Sequence, residues 1–130
     1  MNNDSKRNIV IVQGHPDPSP ARLGYALADR GLRLPEAKAL IEKAAQLSPD
    51  DAYIQDSLGW VEFRLGQPDK ARSLLEAAYR KRPDAEIAAH LGEVLWTLGR
   101  RDEARKIWSG ALKDHPTNDV LSATVKKFSN

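Results

Sequence analysis

The sequence repeats itself at a spacing of 33 residues, and this periodicity constrains the fold more than any other feature. The pair Leu58-Gly59 returns as Leu91-Gly92. Each pair is followed at matching distances by two alanines and a proline. The matched residues are Ala71 with Ala104, Ala78 with Ala111, and Pro83 with Pro116. A unit of this length is one supersecondary element that buries its apolar face only by stacking on its neighbours.

A third copy of the pattern lies upstream. Ala37, Ala44 and Pro49 precede their counterparts by 34 residues. The pair Leu23-Gly24 precedes Leu58-Gly59 by 35 residues, so the turn between the two helices of the first copy carries one extra residue. Three copies in step predict a stack of similar units.

The apolar residues inside each copy recur at helical spacing. Ile54, Leu58, Val61 and Leu65 form one stripe on a helix predicted from about Ala52 to Leu65. The glycines and alanines between the large residues let a neighbouring helix approach closely. Glycines at the ends of the first helices, 66 and 99, suit the left-handed position that ends a helix. Each copy is therefore predicted to be two helices joined by a tight turn.

This pattern resembles the tetratricopeptide repeat, a helix-turn-helix unit with a Leu-Gly pair in its first helix and alanines and a proline in its second. The resemblance covers about residues 16–118. The aromatic residues that the family places around the Leu-Gly pair are replaced here, for example by Gln55 and Glu62.

The resemblance implies an all-α fold, a right-handed superhelical stack of about three units with a C-terminal capping helix. Residues 1–17 are predicted to be an irregular or disordered arm before a repeat domain at 18–130. The expected units are 18–50, 51–84 and 85–118, with the capping helix at about 117–128. A well-formed cap without further upstream repeats suggests the C-terminal part of a longer protein.

In tetratricopeptide arrays the first helices line a concave groove that binds peptides. The resemblance thus implies a partner-binding groove of aromatic and charged side chains. Its predicted residues are Tyr25, Asp56, Trp60, Phe63, Arg64, His90, Glu93 and Trp96. Tryptophan and arginine often carry binding energy at interfaces, although tryptophans at helical spacing are also common in cores. Trp108, on a second helix, is predicted to be core. Trp60 and Trp96 are predicted to face the groove because the separate apolar stripe supplies the core.

Composition excludes several classes of function. Lys and Arg number 20 against 18 Asp and Glu, a net charge of +2 with the signs interleaved, which disfavours nucleic acid as a partner. There is no cysteine, and no apolar run approaches the ~18 residues that span a membrane. The three histidines lack metal-ligand spacing. We therefore expect no catalytic residue, metal or cofactor. Glu62 is either a buried carboxylate of raised pKa or, more in keeping with its position, the partner of a Lys or Arg.

The first residues have a different character. The apolar run at 9–12 followed by Gly14-His15-Pro16 resembles the first strand and phosphate loop of flavodoxin-like quinone reductases. No alternating strand-helix pattern follows to complete a doubly wound sheet, so flavin binding is not expected. The segment is either a leader fused to a truncated repeat array or the eroded end of an earlier repeat.

A protein-protein interaction module that binds a peptide or protein segment in the groove is the function that these patterns favour. The alternative is a structural or weakly self-associating module, in which the apolar arm or an exposed repeat face joins chains. A remnant of a flavin-linked oxidoreductase is a distant third hypothesis.

Overall fold

The computed structural model describes residues 33–129, and over this range the chain forms six α-helices and no strand. Tyr25 and the flavodoxin-like stretch lie outside the described residues. The helices are α1 (Leu34–Leu47), α2 (Ala52–Arg64), α3 (Pro68–Lys81), α4 (Ala85–Thr97), α5 (Arg101–Asp114) and α6 (Asp119–Lys127).

The helices pack in chain order, each against the next. The pairs α2–α3 and α4–α5 have the most extensive contacts and fall inside the predicted units 51–84 and 85–118. Helix α1 lies on α2, where the second helix of the first unit is expected. Helix α4 also contacts α2, and α6 packs on α4 and α5. The all-helical stack and its terminal helix agree with the predicted fold class.

Local sequence signals set the ends of these helices. Asp51 Oδ1 accepts from the backbone N–H groups of Tyr53 and Ile54, which starts α2. Asn118 Oδ1 caps α6 in the same way, so α6 begins at 119 rather than near the expected 117. Helix α2 ends at Arg64, one residue before the predicted end. Gly66 has a φ of 84°, and Gly99 has nearly the same value, which confirms the predicted left-handed positions.

Each of the two repeats between residues 51 and 118 is held by a large side chain of its second helix that lies directly on a glycine of its first helix. A Cβ atom on Gly92 would lie only 2.0 Å from Nε1 of Trp108. The indole is 3% exposed, which confirms that Trp108 belongs to the core, and its N–H reaches the carbonyl of Ala89 at 3.5 Å. One repeat earlier, a Cβ atom on Gly59 would lie 2.8 Å from Cγ of Leu75.

These contacts predict a graded response to alanine substitution. Gly92→Ala should lower the free energy of unfolding by about 3 kcal/mol, because the rigid Trp108 ring cannot yield. Gly59→Ala should cost about 1 kcal/mol, because the flexible Leu75 can move. Gly110→Ala meets no atom within 4 Å and should stabilise the protein by about 0.5–1 kcal/mol. Urea denaturation of the three variants measures the order, and equal losses at the first two positions would contradict this account.

Candidate functional site

The structure divides the predicted groove residues into a buried set and an accessible set. Asp56, Trp60 and His90 are 3%, 5% and 5% exposed. The accessible set is Phe63, Arg64, Glu93 and Trp96, of which Arg64 is exposed and the others are partly exposed.

The buried set forms a polar and aromatic contact between successive first helices. Nδ1 of His90, on α4, donates to Oδ1 of Asp56, on α2, at 2.8 Å. The Trp60 ring stacks on His90 with their centroids 4.3 Å apart and lies 5.2 Å from the Phe63 ring. Trp60 also belongs to the apolar cluster that contains Ile41, so the stripe on α2 does not supply the core alone. These side chains fix how α2 and α4 lie against each other.

The accessible part of the face is organised around Trp96. The guanidinium groups of Arg101 and Arg105, from α5, lie 4.7 and 5.1 Å from the centre of its ring. The Trp108 ring stacks beside it with a centroid distance of 5.9 Å, and the Phe128 ring packs against it at a tilt, 5.4 Å away. We refer to Trp96, Arg101, Arg105 and Phe128 as the Trp96 cluster.

Sequence reasoning found the tryptophan of this cluster and missed the other three members. The two arginines are four residues apart at the start of the helix that follows Trp96. That spacing signals a shared helix face, but the family pattern assigns the groove to first helices alone. Lys127 of α6 was missed too, and its Nζ lies 3.6 Å from a carboxylate oxygen of Glu93.

Glu62 occupies a second polar site, between α1, α2 and α3. Its side chain is 2% exposed, and one carboxylate oxygen lies 3.1 Å from Nζ of Lys38 and 3.2 Å from Nζ of Lys70. The expectation that Glu62 pairs with a basic residue is confirmed. The hydrogen bond to Glu62, together with its charge, raises the pKa of the Lys38 ammonium.

Glu86, in the first turn of α4, is a half-buried carboxyl with no ion pair among residues 33–129. Burial raises its pKa, and the charges of Asp84 and Asp56 raise it further, whereas His90 lowers it. The same turn holds a bond from the Tyr53 hydroxyl to Asp84 at 3.1 Å. Negative charge therefore accumulates where α4 begins.

Neither a metal centre nor a membrane span was found in the described part of the chain. Between residues 33 and 129 no three His, Asp or Glu side chains are grouped to hold a metal ion. None of the helices described is long and apolar enough to cross a membrane.

Comparison with known proteins identifies the repeat. A sequence profile described as tetratricopeptide repeat matches residues 57–119. Residues 57–119 are therefore similar to the tetratricopeptide repeat. A TPR repeat-containing protein of Pseudomonas aeruginosa is 46% identical over 73 residues, which are 54% of this chain. The match spans only 12% of that relative's length.

Solved tetratricopeptide-repeat structures share the fold. A thermophilic TPR protein in Thermus thermophilus superposes with a TM-score of 0.70 at 23% identity, over 95% of this chain and 69% of its own. MamA from MSR-1 superposes with a TM-score of 0.61, also at 23% identity, over 85% of this chain and 66% of its own. At this identity the likeness concerns the fold.

The tetratricopeptide period places Glu62 and Leu95 at the same position of successive repeats. One repeat therefore fills this position with a carboxylate held by lysines, and the next fills it with an apolar side chain. Glu62→Leu should stay within about 1 kcal/mol of the wild-type free energy of unfolding, because a packed leucine replaces a buried ion pair at little net cost. Glu62→Ala should lose about 2–3 kcal/mol because it leaves a cavity and frees both lysines. Chemical denaturation of both variants tests this, and equal losses would show that the ion pairs themselves are required.

Glu86 predicts a pH-dependent difference in stability. Because its folded-state pKa is raised above the unfolded value near 4.5, the folded protein binds the proton more tightly. Ionisation of Glu86 therefore costs stability as pH rises from the unfolded pKa through the folded pKa. Relative to wild type, Glu86→Gln should gain stability as pH rises from about 4.5 through the folded-state pKa of Glu86.

Urea midpoints across this range measure the Glu86 effect. Glu42→Gln, at an exposed carboxyl on α1, is the control and should follow the wild type. A difference between Glu86→Gln and wild type that is constant with pH would exclude the mechanism.

Proposed function

We propose that this protein is an interaction module that binds a peptide or protein segment along the face of its first helices, with the Trp96 cluster as the main anchor. Tetratricopeptide-repeat proteins are generally non-enzymatic scaffolds for protein-protein interaction. The finer assignment to this face depends on the side chains of α2 and α4 and on those that flank them.

The observation that carries the proposal is the partly exposed Trp96 ring with two exposed arginines above it. Tryptophan and arginine are the residue types most enriched among interface hot spots. The ring is held from the core side by Trp108 and Phe128, so little conformational entropy is lost when a partner packs on it. A rigid aromatic surface beside flexible cations suits a segment that offers both an apolar side chain and hydrogen-bond acceptors.

The charges around the ring leave donors available to a partner. Arg101 has no ion pair within residues 33–129, and Arg105 bonds only Asp102, whose side chain is 94% exposed. Each guanidinium has five N–H donors, so most of them remain free for carbonyl or carboxylate oxygens. Phe63 and Arg64 extend the accessible surface along α2, toward the preceding repeat.

The buried trio has a positioning role in this proposal. Asp56, His90 and Trp60 join α2 to α4, and α4 carries Glu93 and Trp96. The bond and the stacking thus set the spacing between the accessible residues of two repeats. A partner need not contact these three side chains to depend on them.

A peptide selection tests the proposal and needs no named partner. Random dodecapeptides displayed on phage are selected on the wild-type chain, and the enriched peptides are synthesised and titrated by fluorescence anisotropy. The Arg101→Ala/Arg105→Ala double variant should bind at least about tenfold more weakly, because it loses both donor groups and the cationic cover of Trp96. The Trp96 indole N–H signal should shift on titration of the wild type.

Lys113→Ala is the matched control, because it removes an exposed cation from the same helix. Denaturation curves check that all variants remain folded. A selection that enriches no peptide, or peptides that bind the double variant as tightly as the wild type, would reject the Trp96 cluster as the anchor.

A further inference from the structure

A second candidate interface lies on the side of the second helices. A cavity of about 400 Å³ opens between α3 and α5, with α4 as its floor. Leu91 and Leu95 form the floor, and Tyr79 and Ile107 line the walls. Charged side chains complete the lining. They are Glu76, Arg80, Glu103 and Lys106. We call this cavity the α3/α5 groove, and it shares no residue with the Trp96 cluster.

The preceding repeat has a different type of residue at the equivalent floor position. Leu95 corresponds to Glu62, and Glu103 on the rim corresponds to Lys70. In that repeat the carboxylate and the lysine close on each other at 3.2 Å. In the α3/α5 groove a leucine replaces the carboxylate, so no ion pair crosses the floor position. The floor of the groove is thus wholly apolar at the position where the preceding repeat has a carboxylate.

The rim of the groove has unbalanced charge. Glu76 pairs with Arg72 at 3.3 Å, and Glu103 pairs with Arg100. Over residues 33–129, the exposed cations Arg80 and Lys106 take part in no ion pair. The groove thus presents an apolar floor beneath two available positive charges, which suits an apolar side chain with acidic neighbours.

The chain itself carries such a segment. Leu47, the last residue of α1, is 77% exposed, the most exposed large apolar side chain in the described range. Its counterparts in the next two repeats are polar, Lys81 and Asp114. The turn after Leu47 leads to Asp50 and Asp51. The Asp50 side chain is 99% exposed and lies 3.5 Å from Nζ of Lys81, and Asp51 caps α2 through Oδ1, which leaves its second carboxylate oxygen for a partner. We call residues 47–51 the Leu47 corner.

We propose that the Leu47 corner of one copy docks into the α3/α5 groove of a second copy. The leucine enters between Tyr79 and Ile107, and the two aspartates face Arg80 and Lys106. The two surfaces are different, so the contact is heterologous, and each copy keeps one free corner and one free groove. Association of this kind continues head to tail instead of stopping at a symmetric dimer.

The contact is small. One leucine and a short turn bury far less than the roughly 1,200 Å² of a stable interface, so we expect a dissociation constant of about 100 µM or weaker. The proposal is independent of peptide binding at the Trp96 cluster, because the two surfaces share no residue.

Sedimentation equilibrium of the full chain, from about 10 µM to about 1 mM, tests the proposal. The weight-average mass of the wild type should rise with concentration beyond that of a dimer. Leu47→Asp should remain monomeric, and so should the groove variant Arg80→Glu/Lys106→Glu. Both variants change exposed side chains, so the fold is expected to survive. Val120→Asp, at another exposed apolar residue, should associate like the wild type.

Mixing the two monomeric variants gives the decisive result. The corner variant keeps an intact groove, and the groove variant keeps an intact corner, so together they should form a one-to-one complex and nothing larger. A wild type whose mass does not change with concentration would overturn the proposal. Association that persists in Leu47→Asp, or a mixture that stays monomeric, would overturn it as well.

Discussion

A bulky side chain of one helix that rests on the bare backbone of its partner is the contact on which the rest of this structure depends. Trp108 against Gly92 sets how closely α4 and α5 approach, and Leu75 against Gly59 does the same for α2 and α3. The Trp108 ring also supports Trp96 and Phe128 from below. One packing constraint thus determines both the shape of the repeat and the orientation of its most accessible aromatic surface.

Polar contacts then join units that apolar packing has formed. The bond between His90 and Asp56 links α4 to α2, and the stacked Trp60 ring shields it from water. A buried polar group without a hydrogen-bond partner destabilises the fold, so this bond favours the one relative placement of the two repeats in which it forms. The two proposed interaction surfaces share no residue. One is centred on Trp96 of α4, and the other is the groove between α3 and α5.

The fold was predictable because its signals are local and repeated. Gly66, Gly99 and the regular prolines mark the ends of helices by their backbone requirements alone, and the 33-residue period orders the units. Burial within the groove positions was less predictable. The periodicity assigns Asp56 and Glu93 to the same kind of face, yet one is buried beside His90 and the other lies near Lys127. Which of these residues is buried depends on contacts between helices, and the periodicity of a single helix carries no information about those contacts.

The two arginines that lie over Trp96 could not be predicted from the sequence for the same reason. Arg101 and Arg105 reach the ring only because the turn at Gly99 folds α5 back beside α4. Nothing in the spacing of the two arginines identifies a tryptophan as their neighbour. The apolar floor of the α3/α5 groove likewise includes Leu95, which stands at the position that Glu62 holds in the preceding repeat.

The change from Glu62 in one repeat to Leu95 in the next also makes the two ends of the stack respond differently to salt and pH. Helix α1 is joined to its neighbours partly by the ion pairs of Glu62, in which Lys38 and Lys70 are 29% and 59% exposed and so open to screening by salt. The later helices are joined at the same level by apolar contacts, which salt does not weaken. The pKa of Lys38 is raised in the folded state. Its ion pair therefore stabilises the fold fully at pH values below the ordinary lysine pKa, and this stabilisation is lost as pH rises through the folded-state pKa. High ionic strength or high pH would therefore weaken the packing of α1 first, while the helices around Trp108 stay packed. The residue at one repeat position thus decides which part of the stack unfolds locally first.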